Sequence, residues 1–274
     1  MDNTNPEPEI TGTVAPDLPY KYIHLDTSSS VARLTLNRPP YNVLTIDMMQ
    51  EMARAIEGLH ERHEVRVILI QASAECKAFS AGVAVEDSRP DRAFQMLEAF
   101  QAVFRCMLEL SKPVVAVVNG PAIGGGCELA ALADMIVATP KARFAQPEIK
   151  LGVFPPLAAI ILPQLIGRKR ALEMILTGEP LGAEEALRLG LVNRVVPEAQ
   201  LEQEVEKLLA KITDQSAPVL EMAKRVLYET IGLPLAEAIK RSSDIYLNQL
   251  MDLDDAREGL RAMVEKRKPV WKNR

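Results

Sequence analysis

The chain has 274 residues, 48% hydrophobic and 25% charged, enough to bury a sizeable core in one large α/β domain or two smaller ones. A net charge of −5 excludes a general electrostatic pull toward nucleic acid or anionic membrane. Three cysteines, Cys76, Cys106 and Cys127, and three histidines, His24, His60 and His63, lack metal-ligand spacing, so a reduced, cytoplasmic protein without disulfide or structural metal is expected.

Residues 1–19 carry Asp2, Glu7, Glu9 and Asp17 among four prolines, without the basic-then-apolar layout of a signal peptide, and read as a poorly ordered arm. No run approaches the roughly 18 uncharged apolar residues of a membrane span. Tyr22–Leu25 and Val31–Leu36 are short β-type runs around the turn-forming residues 26–30, which predicts a hairpin. Thr45 can cap a helix on which Ile46, Met49, Met52, Ala53, Ile56 and Leu59 recur at three and four residues, with Asp47 in its first turn. Val65–Ile70 is a buried strand candidate. Arg92–Leu110 is a long helical pattern whose stripe, Phe94, Leu97, Phe100, Val103 and Phe104, is assigned to core packing.

Pro113–Val118 is a continuous apolar strand that runs into Gly120-Pro-Ala-Ile-Gly-Gly-Gly-Cys-Glu128, and Met135–Ala138 is a further strand. Beyond Gly152 the pattern turns helical, over Leu157–Ile166, Arg170–Leu176, Ala183–Leu189, Leu201–Ile212, Pro218–Ile231, Pro234–Leu250 and Asp254–Arg267, with Val192–Val196 as a strand. Alternating strands and helices followed by helices indicate an α/β core over 20–200 and a helical layer over 201–274. No fixed-period repeat stands out.

The strand-to-helix turn at Gly124-Gly-Gly126 lets backbone approach a ligand closely, and the helix start that follows favours an anion. Glu128 beside it fits acid–base chemistry; as a carboxylate in a first helical turn it also simply complements the helix dipole. A second small-residue turn, Lys77-Ala-Phe-Ser-Ala-Gly-Val83, and a second carboxylate in Gln146-Pro147-Glu148 have equally plain readings as a tight turn and a surface acid. In combination they describe a place where a developing oxyanion is held while protons move.

These segments resemble the enoyl-CoA hydratase/isomerase, or crotonase, family from about Tyr22 to Lys272. The matching residues include Asn37-Arg-Pro39, Ala78-Phe-Ser-Ala-Gly82, residues 112–120, Gly124-Gly-Gly-Cys-Glu-Leu129, Ala133-Asp134, residues 144–149, Leu176-Thr-Gly178, Gly190-Leu-Val192 and residues 264–268. The resemblance implies a spiral of ββα units, a C-terminal helical trimerisation region, and a homotrimer or dimer of trimers. It implies a CoA thioester as substrate, with no separate cofactor. By position, the N–H groups of Val83 and Gly125 bind the thioester oxygen, a contribution of roughly 3–4 kcal/mol per donor. Glu128 matches the residue that activates water and Glu148 the one that protonates the α-carbon. Met263 and Lys266 match positions that reach CoA bound by a neighbouring subunit. Pro40 and Tyr41 fall in an adenine-contacting loop, here one residue shorter and without the usual lysine.

Two departures narrow the reading. Straight-chain hydratases continue after the second glutamate with a glycine-rich segment, whereas this chain has Phe154, Pro155, Pro156 and Leu157, which predicts a stiffer, more apolar acyl pocket. The family's Gly-Ala-Asp is Gly82-Val83-Ala84. Both resemble the branch that hydrates cyclic dienoyl-CoA thioesters, typified by cyclohexa-1,5-diene-1-carbonyl-CoA, in anaerobic aromatic degradation. The alternatives are a short-chain 2-enoyl-CoA hydratase, an enoyl-CoA isomerase and a non-catalytic CoA-binding relative. An RNA-binding member is disfavoured because the corresponding helix, Ile46–His60, has Arg54 as its only basic residue beside Asp47, Glu51 and Glu57.

Overall fold

A computed structural model describes residues 20–274; the expected 1–19 arm lies outside the described residues. Strands β1 (Ile23–Asp26) and β2 (Val31–Leu36) form the expected antiparallel hairpin, with Ile23 opposite Leu36. Helix α1 (Ile46–Glu57) starts at Thr45, whose hydroxyl accepts from Met48 N at 3.4 Å. Then follow β3 (Val67–Ala72), α2 (Ala93–Glu109), β4 (Val114–Val118), β5 (Pro121–Ile123), α3 (Gly125–Leu132), β6 (Met135–Ala138) and β7 (Arg143–Ala145).

After a 3₁₀ turn at Pro147–Leu151 come α4 (Ala158–Ile166), α5 (Arg168–Thr177), β8 (Leu181–Gly182), α6 (Ala183–Leu189) and β9 (Arg194–Val195). Four helices close the chain: α7 (Leu201–Thr213), α8 (Ala217–Thr230), α9 (Leu235–Asn248) and α10 (Asp254–Val264). No helix among the described residues is long and apolar enough to cross a membrane.

Six strands form one sheet in the order β1-β2-β3-β4-β6-β9, parallel from β2 onward, and β5, β7 and β8 form a second. Two successive turns, β4-β5-α3 and β6-β7 with the 3₁₀ turn and α4, each lay a strand in the first sheet, a shorter one in the second, and then a helical segment. This is the repeated ββα architecture that the resemblance implies. It escapes sequence periodicity because the second-sheet strands are only two or three residues long.

The continuous apolar runs of β3 and β4 reflect burial on both faces. Ile68, Ile70, Val114, Ala116 and Val118 point into the main core with α1, α2 and α3. Val67, Leu69, Val115 and Val117 point the other way and pack on Val205, Leu208, Leu209 and Ile212 of α7. On α2, Phe100, Val103 and Phe104 are buried as expected, but Phe94 is 77% exposed, because the first turn of this helix runs past its packing partners.

Helix α8 is fastened by charge. Asp134, at the entry to β6, accepts from Val114 N at 2.7 Å, Lys224 Nζ at 2.8 Å and Tyr228 OH at 2.6 Å. Lys224 also donates to Lys112 O at 3.0 Å, and buried Lys112 Nζ donates to His60 O at 3.0 Å.

Candidate active site

Two segments run side by side into the site. Ser80 and Ala122 form a parallel bridge, with Ile123 N donating to Ser80 O at 2.9 Å and Ser80 N to Pro121 O at 3.2 Å. A few residues on, each segment turns at a glycine with positive φ, Gly82 at +91° and Gly124 at +52°. The turns touch: a Cβ on Gly82 would lie 2.7 Å from Ile123 O and 3.4 Å from Gly125 N, and one on Gly125 would lie 2.9 Å from Val83 Cγ2. Only glycine fits this approach.

Val83 N–H and Gly125 N–H, the two expected oxyanion donors, are thus brought together. The neighbouring amides are occupied, Ala84 N by Leu44 O at 2.9 Å and Gly124 N by Ala145 O at 2.8 Å. Val83 N–H and Gly125 N–H have no acceptor among the described residues.

Glu128 sits one turn into α3 and is only 3% exposed. Its Oε1 accepts from Ala158 N, the first residue of α4, at 2.6 Å. Burial pushes its pKa up to about 7, against the Ala158 hydrogen bond, and nearby Glu148 adds to the rise. Glu148, on the 3₁₀ turn, is half-buried, and burial raises its pKa as well. Its Oε1 lies against the Gly124 backbone, only 2.5 Å from where a Cβ on that residue would stand. The two carboxylates therefore flank the Gly124–Gly125 turn.

Gln146 was not singled out by the sequence. It is fully buried, and with its amide oriented to satisfy both ends it donates to Glu148 Oε2 at 3.2 Å and Oε1 at 3.3 Å. Its place two residues before Glu148 was the available signal. Cys127 is buried next to Glu128, and burial raises its thiol pKa out of the reactive range.

The residues assigned to the acyl wall divide. Pro155 is buried and Pro156 and Leu157 are half-buried, whereas Phe154 is 67% exposed and turned from the chain's own core. This segment leads directly to the Ala158 N–H on Glu128, so it holds a carboxylate as well as bordering the site. Pro40 and Tyr41 are exposed, and their carbonyls accept from Lys77 N at 2.7 Å and Ala81 N at 2.9 Å, which ties this loop to the first turn. Met263 lies exposed in the last turn of α10 and Lys266 exposed just beyond it. A cavity of about 400 Å³ between α8 and α9, lined by Glu229, Lys240 and Arg241 among others, involves neither Glu128 nor Glu148.

Paired free amides beside one buried and one half-buried carboxylate, on a ββα spiral, define a protein of the enoyl-CoA hydratase/isomerase class. The model of the enoyl-CoA hydratase/isomerase family matches residues 26–274, and the chain belongs to that family. Carnitinyl-CoA dehydratase of Escherichia coli is 38% identical over 92% of this chain and 98% of its own. A probable mitochondrial enoyl-CoA hydratase of Dictyostelium discoideum is 38% identical over 89% and 88%. Among solved structures, an enoyl-CoA hydratase of Mycobacterium smegmatis superposes with a TM-score of 0.87 at 34% identity, over 92% of this chain and 99% of that one. Human enoyl-CoA hydratase domain-containing protein 3 does so with a TM-score of 0.86 at 32% identity, over 92% and 100%.

Proposed function

We propose that the protein is a hydro-lyase that adds water across the conjugated double bond of an enoyl-CoA thioester. The observation that carries this is the pair of carboxylates, Glu128 buried and Glu148 half-buried, on either side of a turn presenting two unengaged amides. The thioester oxygen accepts from Val83 N–H and Gly125 N–H as it takes on enolate charge. Ionised Glu128 removes a proton from water while the water oxygen bonds to the β-carbon, and protonated Glu148 delivers a proton to the α-carbon. Glu128 ends protonated and Glu148 ionised, and proton exchange with solvent restores both. A base with a pKa near 7 suits this task at neutral pH. Coenzyme A enters as part of the substrate and no separate cofactor is invoked.

The finer reading is a cyclic dienoyl thioester such as cyclohexa-1,5-diene-1-carbonyl-CoA, supported by the glycine-poor Pro155-Pro-Leu157 wall. A second reading, dehydration of carnitinyl-CoA, is favoured by the 38% identity to a carnitinyl-CoA dehydratase and runs the same proton steps in reverse. For the assembly we propose a homotrimer or dimer of trimers, in which Met263 and Lys266 reach a neighbour's CoA. This is supported by their exposure and by exposed Leu227, Ile231, Leu235 and Ile239 on and between α8 and α9. The three free cysteines support a reduced compartment, proposed as the cytoplasm.

The test is a panel of crotonyl-CoA, cyclohexadienoyl-CoA and carnitinyl-CoA incubated in heavy-oxygen water and read by mass. Label in a product of higher mass supports hydration, and an unlabelled product of unchanged mass supports isomerisation instead. Turnover of crotonyl-CoA equal to or faster than the cyclic diene counts against the cyclic reading. Preferred turnover of carnitinyl-CoA replaces it.

A further inference from the structure

We infer that Asn42 is a positioning residue which, acting through Ser80, sets the direction of the Val83 N–H. The inference rests on the reading of Val83 as an oxyanion donor. Asn42 is fully buried, at φ +48°, a conformation asparagine tolerates better than most residues. Its hydrogen-bonding capacity is engaged almost entirely with two stretches of chain. Within its own loop, Asn42 N donates to Arg38 O at 2.9 Å and Oδ1 accepts from Arg38 N at 2.8 Å. Across to the other stretch, Nδ2 donates to Phe79 O at 3.0 Å and Ala78 O at 3.3 Å, and Oδ1 accepts from Cys76 Sγ at 3.2 Å.

The step toward the site runs through Ser80. The Ser80 hydroxyl donates to Asn42 O at 2.7 Å and accepts from Gly82 N at 3.1 Å. With Ala81 N held by Tyr41 O, Leu44 N on Gly82 O at 2.8 Å and Ala84 N on Leu44 O, the loop over residues 41–44 or Ser80 fixes every amide around Val83. Val83 N–H is what remains to point at a ligand.

Ser80 also touches the other half of the donor pair. Its backbone is bonded to Pro121 and Ile123 on the approach to Gly124–Gly125. Its Cβ and carbonyl oxygen lie 2.6 Å from where a Cβ on Gly126 would stand. One buried serine thus joins the Val83 turn, the Gly125 turn and Asn42, and the loop that holds Asn42 also carries Pro40 and Tyr41.

The experiment uses the full chain with carbonyl-¹³C cyclohexanecarbonyl-CoA or butyryl-CoA, whichever binds more tightly, and reads the infrared carbonyl stretch on binding. In the unmodified protein the stretch falls in frequency as both amides polarise the carbonyl. In Ser80→Ala at least half of that shift is lost and kcat falls about ten- to hundredfold, while the dissociation constant of CoA stays within threefold. If Ser80→Ala does not fold, Ser80→Cys is read in the same way and shows a smaller loss of both. An unchanged shift with kcat within twofold of the parent, in either folded variant, overturns the role of Ser80 and Asn42. A parent protein whose bound carbonyl does not shift overturns the reading of Val83 itself, and this inference with it.

Discussion

Gly124→Ala is the sharpest test of how the second carboxylate is held. The new Cβ would stand 2.5 Å from Glu148 Oε1, where ordinary contact begins at 3.4 Å, so the carboxylate must withdraw by about 0.9 Å. A displacement of about 1 Å at a proton-transferring group costs on the order of 10²-fold in rate, or about 2.7 kcal/mol. The backbone at φ +52°, ψ −125° adds a folding cost of about 1–3 kcal/mol for any side chain. Gly152→Ala is the matched control. That residue lies at φ +78° with nothing within 4 Å of its would-be Cβ, so it carries backbone strain of about 1–2 kcal/mol and no clash. The assay is loss of the conjugated thioester absorbance on hydration, with thermal melts run alongside. Gly124→Ala should lose about 100-fold in kcat/KM while Gly152→Ala stays near the parent. A folded Gly124→Ala protein within threefold of the parent, or equal losses in both variants, would refute the reasoning.

Glu128 has a folded-state pKa of about 7 against an ordinary 4.5, so folding favours its protonated form. The resulting stability is complete below about pH 4.5 and is lost as pH rises to about 7, on the order of 3 kcal/mol in all. Glu128→Gln should therefore raise the melting temperature at pH 8 much more than at pH 4.5; an equal effect at both contradicts the burial argument. The same ionisation should give kcat/KM an ascending limb with an inflection near pH 7, and a flat profile from pH 5 to 8 would remove Glu128 as base. Single Gln variants at Glu128 and Glu148 should each lower kcat about 10²–10⁴-fold, and undiminished turnover in either excludes that residue. Asp134→Ala removes the acceptor of Tyr228 and Val114 N and the counter-charge of Lys224, which keeps only Lys112 O, and should cost about 3–5 kcal/mol in denaturant unfolding. A loss below 1 kcal/mol would show that α8 is held by other contacts.

What could be read from the sequence follows residue chemistry closely. Met135–Ala138 and Ala183–Leu189 have the expected ends, and β4 begins one residue inside its apolar run, because long periodic or continuous patterns determine these elements. The strands β5, β7 and β8 were missed, since two or three residues carry no period. In the site, the glycines announced the close approach of two backbones. The groups that orient the chemistry did not show, because they are backbone amides such as Ala158 N–H or loop amides such as Asn42 and Gln146, whose partners lie far along the chain or depend on burial. Phe154, assigned to the acyl wall from its neighbours in sequence, is exposed in the single chain while Pro155 beside it is buried, a difference that a run of apolar residues does not reveal.

The hydrogen bond from Ala158 to Glu128 has a consequence for how such an enzyme can change. The segment proposed to line the acyl pocket ends in the amide bonded to Glu128, the proposed base, with one residue, Leu157, between Pro156 and that donor. A substitution that widens the pocket shifts the amide and so alters the proton affinity of Glu128. On the proposed roles, substrate preference and working pH are linked through this amide, and selection for a bulkier acyl group should carry the pH optimum with it.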